Sequence, residues 1–225
     1  MIQPLHSLSE EDLFSASEKT LNTYEKIAEQ FWNGTYQHDV GQNIDALLRH
    51  IDNELPLEIL DFGCGPGRDL RTFSALGHNA TGIDGCKTFV EMAKRYANCE
   101  VLHQDFLRLD LPQNTFDGIF ANASLFHIAT QELPRVLRKL YACLKPNGVL
   151  FCSNPRGPNI EQFTDGRYGA FLTWNTWQSY LLNAGFAELE HYYRPPNLPR
   201  NQQPWLASLW RRTPNVPLLK PDNSI

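Results

Sequence analysis

Two regimes of hydrophobic patterning meet near Leu57. Before that point, Leu21 to Phe31 and Ile44 to Ile51 carry apolar residues at helical spacing, separated by the polar, glycine-containing stretch Asn33 to Gln42. Two helices are predicted ahead of the first strand. From Leu57 onward, short apolar runs alternate with amphipathic segments, which predicts a parallel sheet covered by crossover helices and wound in both directions. Strands are predicted at Glu58 to Phe62, Ala80 to Asp84, Glu100 to Gln104, Asp117 to Asn122 and Gly148 to Asn154. Beyond a helix over Trp174 to Ala184, closed by Gly185, the aromatic-rich runs Phe186 to Tyr193 and Trp205 to Arg211 have no helix between them and predict an antiparallel edge. The expected fold is α/β, a doubly wound sheet of seven strands. Residues 213–225 hold three prolines and little apolar periodicity and are expected to be flexible or draped over the surface.

A chain of 225 residues with this pattern fits one domain, and 42% hydrophobic with 20% charged residues allows a sizeable core. The net charge of −5 and the lack of a Lys/Arg block argue against a nucleic-acid footprint, so a small molecule is the expected partner. The opening MIQPLHSLSEEDL has neither a cationic start nor an apolar run, and no segment approaches bilayer length, which predicts no membrane association and a cytoplasmic location. The five cysteines show no zinc-type spacing and an odd number, pointing to reduced thiols and no metal site.

Candidate chemistry begins after the first strand. Gly63, Gly65 and Gly67 form G-x-G-x-G, and position 68, where a dinucleotide fingerprint wants Gly or Ala, is Arg68. Asp61 immediately precedes the turn. A carboxylate there would repel a pyrophosphate, yet it can order the turn or help hold the cationic amino-acid end of S-adenosylmethionine. Asp84 ends the second strand about 20 residues past the first glycine, where a carboxylate can accept both ribose hydroxyls. Gly85 follows it, and Cys64 lies within the first turn. After the third strand, Asp105 can accept from the adenine amino group, with the Phe106 ring beside the base. The fourth strand ends at Asn122 and runs into Ala123-Ser124-Leu125-Phe126-His127, over the methionine portion. Each of these alone has a structural explanation as a tight turn or helix cap. Four of them in order, all at carboxyl ends of strands, favour the cofactor reading.

From Ile59 through Asn154, LDFGCGPGRDL, TGIDG, HQDF, FDGIFANASLFHI and LKPNGVLFCSNPRG resemble the class I S-adenosylmethionine-dependent methyltransferases, with their Rossmann-like sheet. Over nearly the whole chain, FWNGTYQHDVGQNIDALLRHI, SNPRG, DGRYGA, LEHYYRP and LPRNQQPWLASLWRR resemble the C-terminal methyltransferase domain of ovothiol-biosynthesis enzymes. The resemblance implies methylation of the imidazole π-nitrogen of 5-thiohistidine, giving ovothiol A and S-adenosylhomocysteine. The iron-dependent sulfoxide synthase that precedes this domain in bifunctional relatives, with its histidine-rich iron motif, is not expected in these 225 residues. Its step, and that of a lyase, are therefore expected from separate pathway enzymes. The implied organisation is a helical lid over residues 1–56, a Rossmann-like core over 57–212 and the tail.

A neutral imidazole nitrogen is a competent nucleophile near pH 7, so methyl transfer needs mainly positioning and water exclusion. The product ring is cationic until it loses a proton, and His38, Asp39 and His127 are the candidate acceptors, among which the sequence does not choose. Tyr24 and Trp32, with Phe31, offer π-faces to the sulfonium, or are core aromatics at helical spacing. A substrate carboxylate wants a guanidinium, for which Arg156 and Arg167 are candidates, with Asn154, Tyr168 and Trp174 as wall residues. The sequence is silent on oligomeric state.

Overall fold

The computed structural model describes residues 3–213. The expectation for the tail beyond Thr213 lies outside the described residues. Nine strands and six α-helices follow in the order α1 Glu10–Thr35, α2 Gly41–Leu48, β1 Glu58–Phe62, α3 Arg68–Ala75, β2 Asn79–Asp84, α4 Lys87–Ala97, β3 Glu100–His103, β4 Phe116–Asn122, α5 Leu133–Cys143, β5 Leu144–Pro155, β6 Ile160–Thr164, β7 Arg167–Phe171, α6 Trp174–Asn183, β8 Phe186–Arg194 and β9 Trp205–Arg212, among the described residues.

The main sheet has the order β3-β2-β1-β4-β5-β9-β8, with β1 to β5 parallel and β9 lying antiparallel between β5 and β8. The expected seven-stranded, doubly wound sheet is present. Alternate residues of each central strand divide the core into two layers. Leu60, Phe62, Ile119, Ala121, Leu150 and Cys152 pack towards α5 and α6, whereas Ile59, Phe120, Val149 and Phe151 pack towards α2.

β5 begins four residues before the predicted Gly148, and three further features differ from the sequence expectation. α1 starts eleven residues before the predicted Leu21, because Ser9 caps it, accepting from the Asp12 amide at 3.1 Å, and Glu10, Glu11 and Asp12 suit the positive end of the helix dipole. Its buried face in this first half is Leu13, Ala16 and Thr20, too sparse and polar to register as an apolar stripe. α2 is shifted three residues towards the N-terminus of its predicted span. The third difference is an unpredicted hairpin, β6 and β7, joined at Asp165 and Gly166, both of positive φ as a two-residue turn requires. α1 packs across β7 and α4. It lies over the carboxyl edge of the sheet, where the predicted site residues gather.

Candidate active site

In a doubly wound sheet the ligand crevice opens where neighbouring strands send their chains to opposite sides, here between β1 and β4. A cavity of about 810 Å³ occupies that position. Ser124, just past β4, is buried and donates from Oγ to the Phe62 carbonyl oxygen at 2.6 Å, clamping the two strand ends together. Gly63 passes beside this clamp with φ of 77°, and a Cβ on it would fall 2.3 Å from that of Ser124. No larger residue fits there without moving a strand end. At Gly67, the Ala93 Cα lies 2.8 Å from where a Cβ would stand, so the close approach between α3 and α4 falls one residue before the position that a dinucleotide fingerprint uses. Arg68 instead pairs with Asp69 through two bonds, at 2.6 and 2.9 Å, and donates from Nη1 to the Thr35 carbonyl at 2.8 Å, tying the end of α1 to the glycine turn.

Three buried carboxylates, Asp61, Asp69 and Asp84, surround this turn, and Arg68 neutralises only one of them. Burial, then the neighbouring charge of Asp69, holds Asp61 well above the usual carboxylate range. Its Oδ2 has no hydrogen-bond partner, and it sits behind the turn without lining the cavity. Asp84 lines the cavity, and both its oxygens take backbone amides, Oδ2 from Gly65 at 2.9 Å and Oδ1 from Cys86 at 2.8 Å. These bonds orient the carboxylate and leave lone pairs for hydroxyl donors. Burial pushes its pKa up to about 6. Asp61 is therefore not a ligand contact as the sequence suggested; the buried carboxylates that do line the cavity, Asp69 and Asp84, suit a ligand that brings ammonium and sulfonium groups and disfavour a pyrophosphate.

Cys64, Gly65, Gly85, Asp105, Phe106 and Asn122 line the same cavity. Asp105 accepts from the Leu107 amide at 2.8 Å and from Ser17 Oγ of α1 at 3.0 Å. Phe106 stacks on Phe62, centroids 4.2 Å apart. Tyr24, Phe31 and Trp32 of α1 close the cavity from above. His127 donates from Nδ1 to the Tyr168 carbonyl at 2.6 Å, which makes Nε2 the unprotonated nitrogen, and Tyr24 donates to it at 2.8 Å. Burial drives the His127 pKa down to about 4, against the Tyr168 bond that favours protonation, and the nearby Arg167 charge adds to the fall. His127 is therefore neutral at pH 7, with its basic nitrogen engaged.

On the acceptor side, His38 and Asp39 lie exposed at the mouth, between α1 and α2, with Asp39 Oδ1 accepting from the Gly41 amide at 2.9 Å. Arg167 and Tyr168, at the start of β7, also line the cavity, Arg167 lying 5.4 Å from the Tyr24 ring centroid. Asn154 and Arg156 are not brought in. Asn154 faces a separate small pocket with Leu133 and Trp177, and the Arg156 side chain turns outward to donate to the Arg200 carbonyl at 2.9 Å beside the Tyr193 ring. Trp174 likewise stacks on His191, centroids 3.9 Å apart.

Asn43 and Arg194, absent from the sequence reading, stand in the cavity wall. Buried Asn43 of α2 donates from Nδ2 to Asn122 Oδ1 at 3.2 Å, while its Oδ1 accepts from Tyr192 at 3.0 Å and from Arg194 Nη1 at 2.8 Å. The available signal for Asn43 was its place four residues before Leu47, on the apolar face of the helix.

The seven-stranded sheet with its antiparallel edge and flanking helices is the Rossmann-like methyltransferase fold. Residues 59–148 match the family model described as a methyltransferase domain. The ubiquinone biosynthesis O-methyltransferase of Rickettsia felis is 25% identical over 152 residues, covering 62% of this chain and 62% of that protein. The malonyl-[acyl-carrier protein] O-methyltransferase of Buchnera aphidicola is 32% identical over 149 residues, 61% of this chain and 58% of that protein. The chain thus spans about three fifths of the length of these curated relatives. The crystal structure of Burkholderia thailandensis 1,6-didemethyltoxoflavin-N1-methyltransferase, with bound 1,6-didemethyltoxoflavin and S-adenosylhomocysteine, superposes with a TM-score of 0.72 at 21% identity, covering 94% of this chain and 95% of that one. Among the described residues no helix is long and apolar enough to cross a membrane.

Proposed function

We propose that the protein is a small-molecule methyltransferase that uses S-adenosylmethionine to methylate an imidazole nitrogen, the π-nitrogen of 5-thiohistidine, giving ovothiol A and S-adenosylhomocysteine. The supporting observation is one continuous cavity whose acidic half, at Asp84 and Asp105, suits the donor and whose other half carries Arg167, Phe126, Phe171 and Tyr168. The specific acceptor rests on the sequence resemblance. Bound S-adenosylmethionine supplies an electrophilic methyl group on a sulfonium. Asp84 and Asp105 then hold ribose and base, α1 excludes water, and Tyr24, held by His127, lines the wall of the reaction chamber.

The condition of His127 bears on the kind of acceptor. A hydroxyl acceptor needs a base to take its proton as it is methylated, and His127, with a pKa of about 4 and Nε2 engaged by Tyr24, is a poor one. A neutral imidazole nitrogen reacts without prior deprotonation, and its product proton can leave afterwards through His38 or Asp39 at the mouth. The names of the two curated relatives favour a second reading, O-methylation of a small acceptor. Purified protein given labelled S-adenosylmethionine with 5-thiohistidine, histidine, a simple thiol and a phenol separates the two. Label is expected on the imidazole π-nitrogen; transfer only to the phenol or thiol overturns the imidazole reading.

A further inference from the structure

Resting on the reading of an amino-acid acceptor, we propose that Arg194, at the end of β8, holds the acceptor's carboxylate, and that Asn43 is the positioning residue that aims it. Arg194 lines the cavity beside Asp39, Asn43, Pro195 and Trp205. The three guanidiniums in the cavity wall differ in their partners. Arg68 is committed to Asp69, and Arg167 lies over the Tyr24 ring with Asp165 Oδ2 at 3.8 Å. Among the described residues no carboxylate oxygen lies within ion-pair distance of Arg194.

Its known bonds go to neutral acceptors only, Nη1 to Asn43 Oδ1 at 2.8 Å and Nη2 to the Asp39 carbonyl at 3.5 Å. A guanidinium has five N–H donors, and these two bonds leave about three of them for a carboxylate. The mounting is rigid. Asn43 is only 2% exposed, and Tyr192, two residues before Arg194 on the same face of β8, donates to the same Oδ1. A half-buried cation held in place by neutral groups in the wall of a ligand cavity suits an anionic ligand group.

The same mounting reaches the donor half. Asn43 bonds Asn122 at the end of β4, Asn122 donates to Asp69 Oδ2 at 3.2 Å, and Asp69 holds Arg68 at the glycine turn. Its lack of a carboxylate partner among the described residues assigns Arg194 to the acceptor, whereas Arg167 lies 5.4 Å from the Tyr24 ring centroid and within 3.8 Å of Asp165.

Methyl transfer from S-adenosylmethionine to 5-thiohistidine and to its decarboxylated counterpart, 5-thiohistamine, tests this directly, alongside their binding in the presence of S-adenosylhomocysteine. The wild-type protein is expected to favour the carboxylated acceptor, and Arg194→Ala to raise its KM roughly 30-fold or more while leaving the 5-thiohistamine KM and the S-adenosylhomocysteine affinity unchanged. Arg194→Lys recovers part of the loss, and Arg156→Ala, outside the cavity, changes neither acceptor. Equal KM values for the two acceptors in the wild-type protein overturn the proposal with no variant needed. Loss of discrimination in Arg167→Ala but not in Arg194→Ala also overturns it, and either result leaves the imidazole methyltransferase reading intact. Absence of both binding and transfer for the pair overturns the two together.

Discussion

Tyr24 donates its phenolic proton to His127 Nε2 across 2.8 Å, and His127 in turn gives its Nδ1 proton to the Tyr168 carbonyl. One imidazole therefore joins α1, the turn after β4 and the hairpin strand β7. It can do so only while neutral, because a protonated ring has no acceptor for Tyr24.

The pH dependence of stability follows from that restriction. The His127 pKa of about 4 in the fold lies below the value of roughly 6.5 for an unfolded chain. Between these values the unfolded chain takes up a proton that the native state refuses, so stability is full above pH 6.5 and falls as the pH drops towards 4. Going from pH 7 to pH 5, His127 should contribute a loss of about 2 kcal/mol. His127→Gln, which has no titratable group, should lack that share of the slope. Urea unfolding of both proteins at the two pH values measures it; identical slopes would show that His127 titrates normally.

Asp84→Asn should weaken cofactor binding more than its near-isosteric shape implies. Each Asp84 oxygen already receives a backbone N–H, from Gly65 and from Cys86, so the amide NH₂ of asparagine would face a donor in either orientation. A buried donor set against a donor costs about 1–3 kcal/mol, or roughly 10- to 100-fold in affinity for S-adenosylhomocysteine, read by calorimetry. Wild-type affinity should also fall as the pH drops through about 6, where Asp84 protonates and loses acceptor capacity. An affinity flat from pH 8 to 5 and unaffected by the substitution would remove Asp84 from the site.

Gly63→Ala sets a methyl 2.3 Å from the Ser124 Cβ at a backbone φ of 77°. Overpacking and left-handed strain each cost about 1–3 kcal/mol, so the variant should lose about 2 kcal/mol or more of stability in thermal unfolding, together with cofactor affinity. Gly65→Ala makes the contrast, since its nearest neighbour to a Cβ is Phe31 at 3.9 Å. Its damage should be smaller in stability and concentrated in ligand binding. Equal melting temperatures for Gly63→Ala and wild type would contradict the clamp at Ser124.

What could be read in the chain divides along the range of the interactions. Strands β1 to β5 and the turn at Gly63 to Gly67 announce themselves through local apolar runs and glycine spacing, and their carboxyl ends carry Asp84 and Asp105 to the cavity as expected. The hairpin β6–β7 escaped because Ile160 and Phe163 are exposed and the residues between them polar, although Asp165-Gly166 is a recognised two-residue turn signal. Arg156 was misread because proximity to a strand end does not fix where a long side chain goes; the Arg200 carbonyl and the Tyr193 ring draw it outward. Arg194 and Asn43 meet across 151 residues of sequence, and no local pattern records such a meeting.

Closure of α1 over the site rests on side-chain bonds to β7 that can be removed singly. Buried Thr20 donates to the Ala16 carbonyl at 2.8 Å and accepts from the Tyr168 amide at 2.9 Å, so its hydroxyl is the partner of a buried backbone N–H on the neighbouring strand. Thr20→Val keeps the shape and deletes the acceptor, leaving that amide unsatisfied at a cost of about 1–3 kcal/mol. The loss falls at the contact between α1 and the hairpin, whereas β1 to β5 keep their own ladders. Amide hydrogen exchange should therefore quicken in α1 and in β7 near Tyr168 while protection in β4 and β5 is retained, and KM for the methyl donor should rise as the cover loosens. Uniformly faster exchange across the sheet would instead mean that α1 and the core unfold as one unit.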